Sequence, residues 1–329
     1  MANITLHVEP GVVLDWETFK AEKPPFSIAL DGFVYGMTKF SAEGPYANFN
    51  HHEEVERLST RSTCMQIYFS IMMGLFDTFQ KDEKPFAHVY VNDADQDVCL
   101  SCWLLNNPEQ VGLIRWDKPL SRLIVIEDFL DASGGAFPFN DTKRPDSLLK
   151  RQAWIFEPYT AARRNRTLHA MDEKEMQNII EAVGHRITLF SNSQSGILEL
   201  DLTPKIIGGG TGWKMIEEKD GYARASLYAS GTKAFVGMRQ RKDGNYTYVV
   251  GKMSPFVTFP IIDIYHALNQ VENLTDKSNL WGGSDIIGGS PRRTGSSLPP
   301  NRVELIINEV LAGKLASWTD EGNPTKYDH

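Results

Sequence analysis

The chain has little of what usually names a function outright. Its 329 residues hold only three cysteines, Cys64, Cys99 and Cys102, each inside an apolar run and none at zinc-finger spacing. That predicts buried free thiols, with a structural bridge or metal site as the alternative. No GxxxxGK[ST] order occurs, so a P-loop is excluded. The apolar stretches are broken by charges and are too short to span a bilayer. The opening Met-Ala-Asn-Ile-Thr-Leu has neither the basic nor the apolar region of a signal peptide. A cytoplasmic protein with no membrane partner is therefore expected. Basic charge is also scarce: 34 Lys and Arg stand against 42 Asp and Glu, a net charge of −8. This argues against a broad nonspecific nucleic-acid surface but leaves room for a locally basic groove.

What is present is a series of apolar runs that stop at polar groups. Ser27-Ile28-Ala29-Leu30 ends at Asp31-Gly32, and Tyr46 to Phe49 ends at Asn50-His51-His52-Glu53. Residues 87–91 end before Asn92-Asp93-Ala94-Asp95-Gln96-Asp97, and Leu123-Ile124-Val125-Ile126 ends in Glu127-Asp128-Phe129-Leu130-Asp131. Each run reads as a buried strand. A helical stripe follows the histidines over residues 54–80, and another follows the acidic cluster over residues 97–105. Open α/β sheets place their chemistry at the carboxyl ends of strands, which is where these groups fall.

The fold expected is α/β, a mainly parallel sheet with helices on both faces over residues 1–185. A smaller C-terminal α/β domain with a mixed sheet follows over residues 186–329. A charged amphipathic helix at residues 171–187 is read as the connector. Beyond it, residues 225–228, 234–238 and 246–250 read as strands, with helices at residues 260–272 and 301–314.

Neutral imidazoles among several carboxylates suit Mn²⁺, Mg²⁺ or Zn²⁺ rather than soft metals. Asp31, His51, Asp93, Asp95, Asp97 and Asp131 are the candidate ligands, for two ions that would activate water and clamp phosphoryl oxygens. His52 is expected to orient a ligand or meet a scissile phosphate. Arg57 and Arg61, four apart on one helical face, and Arg163, Arg164 and Arg166 are further basic candidates, with Arg61 assigned a catalytic role. In the glycine-rich segment, Gly288, Gly289, Ser290, Arg292 and Arg293 have the character of an anion-binding loop. Its arginines would grip a substrate phosphate or carboxylate remote from the metals, supplying binding energy.

At these residues the chain resembles the DHH phosphoesterase superfamily, which includes nanoRNases, cyclic-dinucleotide phosphodiesterases and family II pyrophosphatases. Asn50-His51-His52 is similar to the Asp-His-His triplet, and Asp95 to Cys102 to the acidic strand end that runs into a small-residue helix. Residues 127–135 resemble the fourth, acidic motif. Residues 288–295 resemble the Gly-Gly-His loop of the associated substrate domain. Asn50 and Ser290 stand where the family has aspartate and histidine, and the motif order is permuted.

The resemblance implies a Mn²⁺- or Mg²⁺-dependent phosphoesterase acting on a nucleotide, a short oligonucleotide or another phosphorylated small molecule; a homodimer is among the expected partners. Two alternatives stand beside it. One is a catalytically degenerate module that binds a nucleotide or anion, which Asn50 and Ser290 favour. The other is a metal hydrolase acting on a non-phosphate substrate.

Overall fold

The computed structural model describes residues 2–56, 58–113, 118–138, 147–165, 171–218, 221–277 and 279–314. Arg57 and Arg166 lie outside them. The chain divides into two compact units. One comprises described residues up to 132 and 147–200, the other 133–138 and 201–314.

The first unit opens with β1 (Asn3–Val8), α1 (Trp16–Glu22), β2 (Ser27–Leu30), β3 (Lys39–Ser41) and β4 (Tyr46–Phe49). It continues through α2 (Thr63–Met72), α3 (Leu75–Thr78), β5 (Gln80–Lys81), β6 (Lys84–Val91) and α4 (Gln96–Asn106). Five helices complete it: α5 (Pro108–Gly112), α6 (Pro119–Ala132), α7 (Leu148–Ile155), α8 (Glu157–Asn165) and α9 (Glu173–Ser191).

The strands lie in the order β1-β6-β2-β4-β3, with β5 paired to β6. The first four run parallel, and β3 is antiparallel to β4. Every residue of β2 and β4 is buried, which is why each reads as an unbroken apolar run rather than an alternating one. Ala29, Tyr46 and Tyr90 share a sheet face with Phe19 of α1, while the buried α4 packs against α2, α6 and α9.

Three expectations need correction here. Residues 123–126 belong to helix α6, not to a strand. Leu120, Leu123, Ile124, Ile126 and Leu130 are buried, along with Glu127 and Asp128, while Arg122, Val125 and Phe129 lie on its less-buried face. Because Val125 on that face is itself apolar, residues 123–126 present the same continuous apolar run as a central strand. The helix expected over residues 54–80 is confined to α2 and the short α3, because Ser62 caps α2 and Gly74 breaks the chain at φ +101°. The boundary expected at residue 185 falls inside α9. Met176, Ile179, Ile180, Val183 and Ile187 bury one face of that helix, so it is a core element rather than a connector.

The second unit contains β7 (Lys205–Gly210), β8 (Trp213–Glu217), α10 (Tyr222–Ala229), β9 (Ala234–Gln240) and β10 (Tyr246–Lys252). It closes with α11 (Ile261–Val271), β11 (Gly282–Gly283), β12 (Ile287–Gly289) and α12 (Pro300–Leu311). The sheet order is β11-β12-β10-β9-β8-β7. Within this sheet only β8 and β9 pair in parallel among the described strands, so it is mixed. Residues 225–228, expected as a strand, lie in α10. That helix packs Ala223, Leu227 and Tyr228 against Ile216 and Phe235 as the crossover between the two parallel strands. The main core gathers around Trp213, Tyr248, Trp281 and the apolar faces of α11 and α12. No described helix in either unit is long and apolar enough to cross a membrane.

Candidate metal centre

Parallel strands that end together bring their following residues together. Asp31 follows β2, His51 and His52 follow β4, and Asp97 stands in the first turn of α4 after β6. Asp131 comes from the last turn of α6. Two groups of ligand atoms result, each with its atoms within 4.8 Å of one another: Asp31, His51 and His52, and His51, Asp97 and Asp131. His51 belongs to both.

His51 is only 1% exposed. Its Nε2 lies 2.6 Å from Asp131 Oδ2, 3.3 Å from Asp31 Oδ1 and 3.7 Å from Asp97 Oδ2. Among the described residues neither ring nitrogen meets the full distance and angle criteria of a hydrogen bond, although Nε2 lies within ion-pair distance of all three carboxylates. A buried imidazole nitrogen ringed by three carboxylate oxygens without a directed hydrogen bond has the environment of a ligand atom. Burial opposes charging of this ring, but the negative charges of Asp131 and Asp31 outweigh it and hold its pKa well above the ordinary imidazole value.

Asp31 is the second hub, in the left-handed region at φ 50°. Its Oδ1 meets His52 Nε2 at 2.9 Å and accepts the Thr63 hydroxyl at 3.0 Å. Burial alone would raise its pKa. The charges of His52 and His51 prevail and hold it well below the usual carboxylate range. His52 keeps a third of its side chain exposed and Asp131 a quarter, so solvent reaches the cluster beside them.

Asp97 points both oxygens at the start of α2, accepting the backbone amides of Thr63 at 2.6 Å and Cys64 at 2.7 Å. Asp128 accepts the Ser62 amide and an Arg61 Nη1 donor, each at 2.9 Å. Two carboxylates from different helices thus take up the free N–H groups of the α2 N-terminus. Burial pushes the Asp97 pKa up to about 7, and the charges of Asp131 and Asp31 add to the effect. Glu127, wholly buried and hydrogen-bonded by Gln152, is also raised by burial.

The other sequence candidates lie elsewhere. Asp95 caps α4 by accepting the Val98 amide, and Asp93 accepts the Ala94 amide. Neither joins the two ligand groups, although the charges of Asp31, Asp93, Asp97 and Asp131 add to burial in raising Asp95. Arg61 braces the α2 start through Asp128 and keeps about half of its side chain exposed.

In the second unit, Gly288 and Gly289 occupy the strand between β10 and β11. A Cβ at Gly288 would meet the Tyr265 hydroxyl at 2.1 Å, and one at Gly289 the Tyr248 carbonyl at 2.2 Å. These glycines permit close backbone packing, so their pairing accounts for the sequence pattern without an anion. Ser290 extends the pairing: its hydroxyl accepts the Tyr248 amide, and its own amide donates to the Tyr248 carbonyl. Arg293 pairs with Asp276 at the surface, and Arg292 is exposed.

Sequence reasoning missed Thr63 beside Asp31 and Gln152 beside Glu127, and it named Glu127 and Asp128 only as part of an acidic run, without their supporting roles. Ser62, a capping residue just before an apolar stripe, was the available signal for where α2 begins. Comparison with family models, with curated proteins and with solved structures found no match to the chain.

Proposed function

We propose that the first unit is a divalent-cation site serving hydrolysis of a phosphoester in a small phosphorylated substrate, with Mn²⁺ or Mg²⁺ as the ion. The observation that carries this is the buried His51 nitrogen, surrounded by three carboxylate oxygens and directed along a hydrogen bond to none. Hard anionic oxygens with imidazole fit these ions. Asp31, His51 and His52 would hold one ion, and Asp97 and Asp131 a neighbouring one. A bound cation of this kind lowers the pKa of water and neutralises phosphoryl oxygens.

The chain's own residues supply the rest. Asp31 fixes the orientation of the partly exposed His52 ring through its contact with Nε2. Thr63 and the α2 amides fix Asp31 and Asp97, so the carboxylates are placed before a ligand arrives. Arg61 presents the remaining donors of its fork to solvent, a geometry suited to phosphate.

A panel of phosphomonoester, phosphodiester and pyrophosphate substrates with Mn²⁺ tests this reading. Hydrolysis of at least one class is expected, lost in His51→Ala with the circular dichroism spectrum preserved. A complete lack of turnover alongside tight Mn²⁺ binding would instead favour a sensor. Turnover unchanged in His51→Ala would refute the assignment.

A further inference from the structure

The residue before the two histidines stands where the resembling family carries an aspartate, yet its contacts require an amide. Asn50 is completely buried. Its Nδ2 donates to the Gly36 carbonyl at 2.9 Å, the Val34 carbonyl at 3.3 Å and Glu53 Oε2 at 2.7 Å. Two of these acceptors are backbone carbonyls, which can never donate. An aspartate here would place a second anionic oxygen against three acceptors, one of them a carboxylate. The atom facing them must carry protons.

The other half of the amide faces the histidines. Asn50 Oδ1 accepts the backbone amides of His51 at 2.8 Å and His52 at 3.1 Å. One oxygen therefore sets the path by which the chain leaves β4, and with it the direction in which both imidazoles project. The backbone of Asn50 is held as well. Its amide donates to Thr38 Oγ1, and its carbonyl accepts from Thr38 and from Gln66 of α2. On the carbonyl side Asn48 duplicates the restraint, donating to Val34, Gly36 and Met37. Asn48 has no hydrogen bond to either histidine among those described, so the two asparagines separate loop support from histidine support.

We infer that Asn50 is a positioning residue: it aims His51 and His52 through their backbone amides and contributes no ligand atom. Its effect on Mn²⁺ rests on the metal-centre reading above, whereas its effect on the imidazoles does not. Residues that orient metal ligands typically change metal affinity by about 10–100-fold when replaced.

The test compares Asn50→Asp, Asn50→Ser and Asn48→Ala with the wild-type full chain. In metal-free protein, the imidazole NMR signals of His51 and His52 should both move in the Asn50 variants and stay in place in Asn48→Ala. Mn²⁺ affinity should fall at least 10-fold in Asn50→Asp and in Asn50→Ser, with Asn48→Ala close to wild type. Asn50→Ser keeps an acceptor without adding charge, so it decides the matter if the aspartate variant does not fold. Tighter Mn²⁺ binding in Asn50→Asp would show a vacant ligand position and overturn the inference. Imidazole signals unmoved in Asn50→Ser would do the same. If the wild type binds no Mn²⁺, the metal reading fails while the imidazole signals still decide the role of Asn50.

Discussion

In the second unit, buried Glu218 meets the guanidinium of Arg224 through two donors, and Glu272 accepts from Trp281 Nε1, Ser296 Oγ and both the amide and hydroxyl of Ser297. In the first unit, Asp31, Asp97 and Asp131 crowd one imidazole, and Asp95, Asp97 and Glu127 are each pushed to higher pKa by burial first and then by neighbouring carboxylates, Asp131 among them in every case. Both units bury acids. One neutralises them with its own cations and donors, so they serve the fold. The other collects negative charge faster than His51 and His52 offset it, which costs stability and which the proposed cation would relieve. The difference separates a compensated polar network from an uncompensated one.

The comparison can be broken most forcefully in the second unit. Glu218→Ala removes both carboxylate acceptors that the buried Arg224 guanidinium uses in this pair, and a loss of about 3–5 kcal/mol is expected in urea unfolding. That loss should be the same with and without Mn²⁺. A deficit that Mn²⁺ repaired would mean that the two kinds of network are not separate.

The next effect is pH dependence in the first unit. Asp97 titrates near 7 in the folded chain, above its ordinary value of 3.8, so the folded state holds the proton more tightly. Its contribution is complete below the ordinary value and is lost as pH rises through about 7. His51, also raised, acts in the same direction. Asp31, lowered, contributes fully above its ordinary value and does not change across this window. Metal-free protein should therefore lose on the order of 3 kcal/mol between pH 4 and pH 8 from Asp97. Mn²⁺ should recover most of that loss at pH 8. A flat stability profile in the metal-free protein would contradict the crowding.

Asp131→Asn removes the charge that adds most, after burial, to the Asp97 shift. Because the same charge also pairs with His51, the two changes oppose each other, and thermal unfolding of the metal-free variant at pH 8 should shift by no more than roughly 1 kcal/mol. The same variant should have lost most of the Mn²⁺ response. The smallest effect is expected at the surface of the second unit. Arg293→Ala breaks an exposed pair with Asp276 and should change stability by less than about 0.5 kcal/mol. A larger change would mean that this segment carries a structural load its exposure does not reveal.

How far the sequence disclosed this follows from the same physics. Asp31, His51 and Asp97 were legible because central parallel strands are buried on both faces and their apolar runs stop abruptly. Asp131 was found through a run whose type was misread, since residues 123–126 are all apolar although Val125 lies on the less-buried face of α6. β1 passed unnoticed: at the sheet edge its burial alternates, and only pairing with β6 reveals it. The roles of Thr63 and Asp128 were out of reach because these residues act across long sequence separations, and no local spacing encodes that. The glycine pair of β12 advertised an anion loop, while its contacts show close backbone packing.

The most direct measurement is a calorimetric titration of metal-free protein with Mn²⁺ at pH 7.5, beside His51→Ala. Saturable binding with proton release is expected from the wild type, since Asp97 and His51 must give up protons to bind a cation. In His51→Ala the binding should be lost or weakened by at least 100-fold. Binding of equal strength in the two proteins, or none in either, would contradict the account.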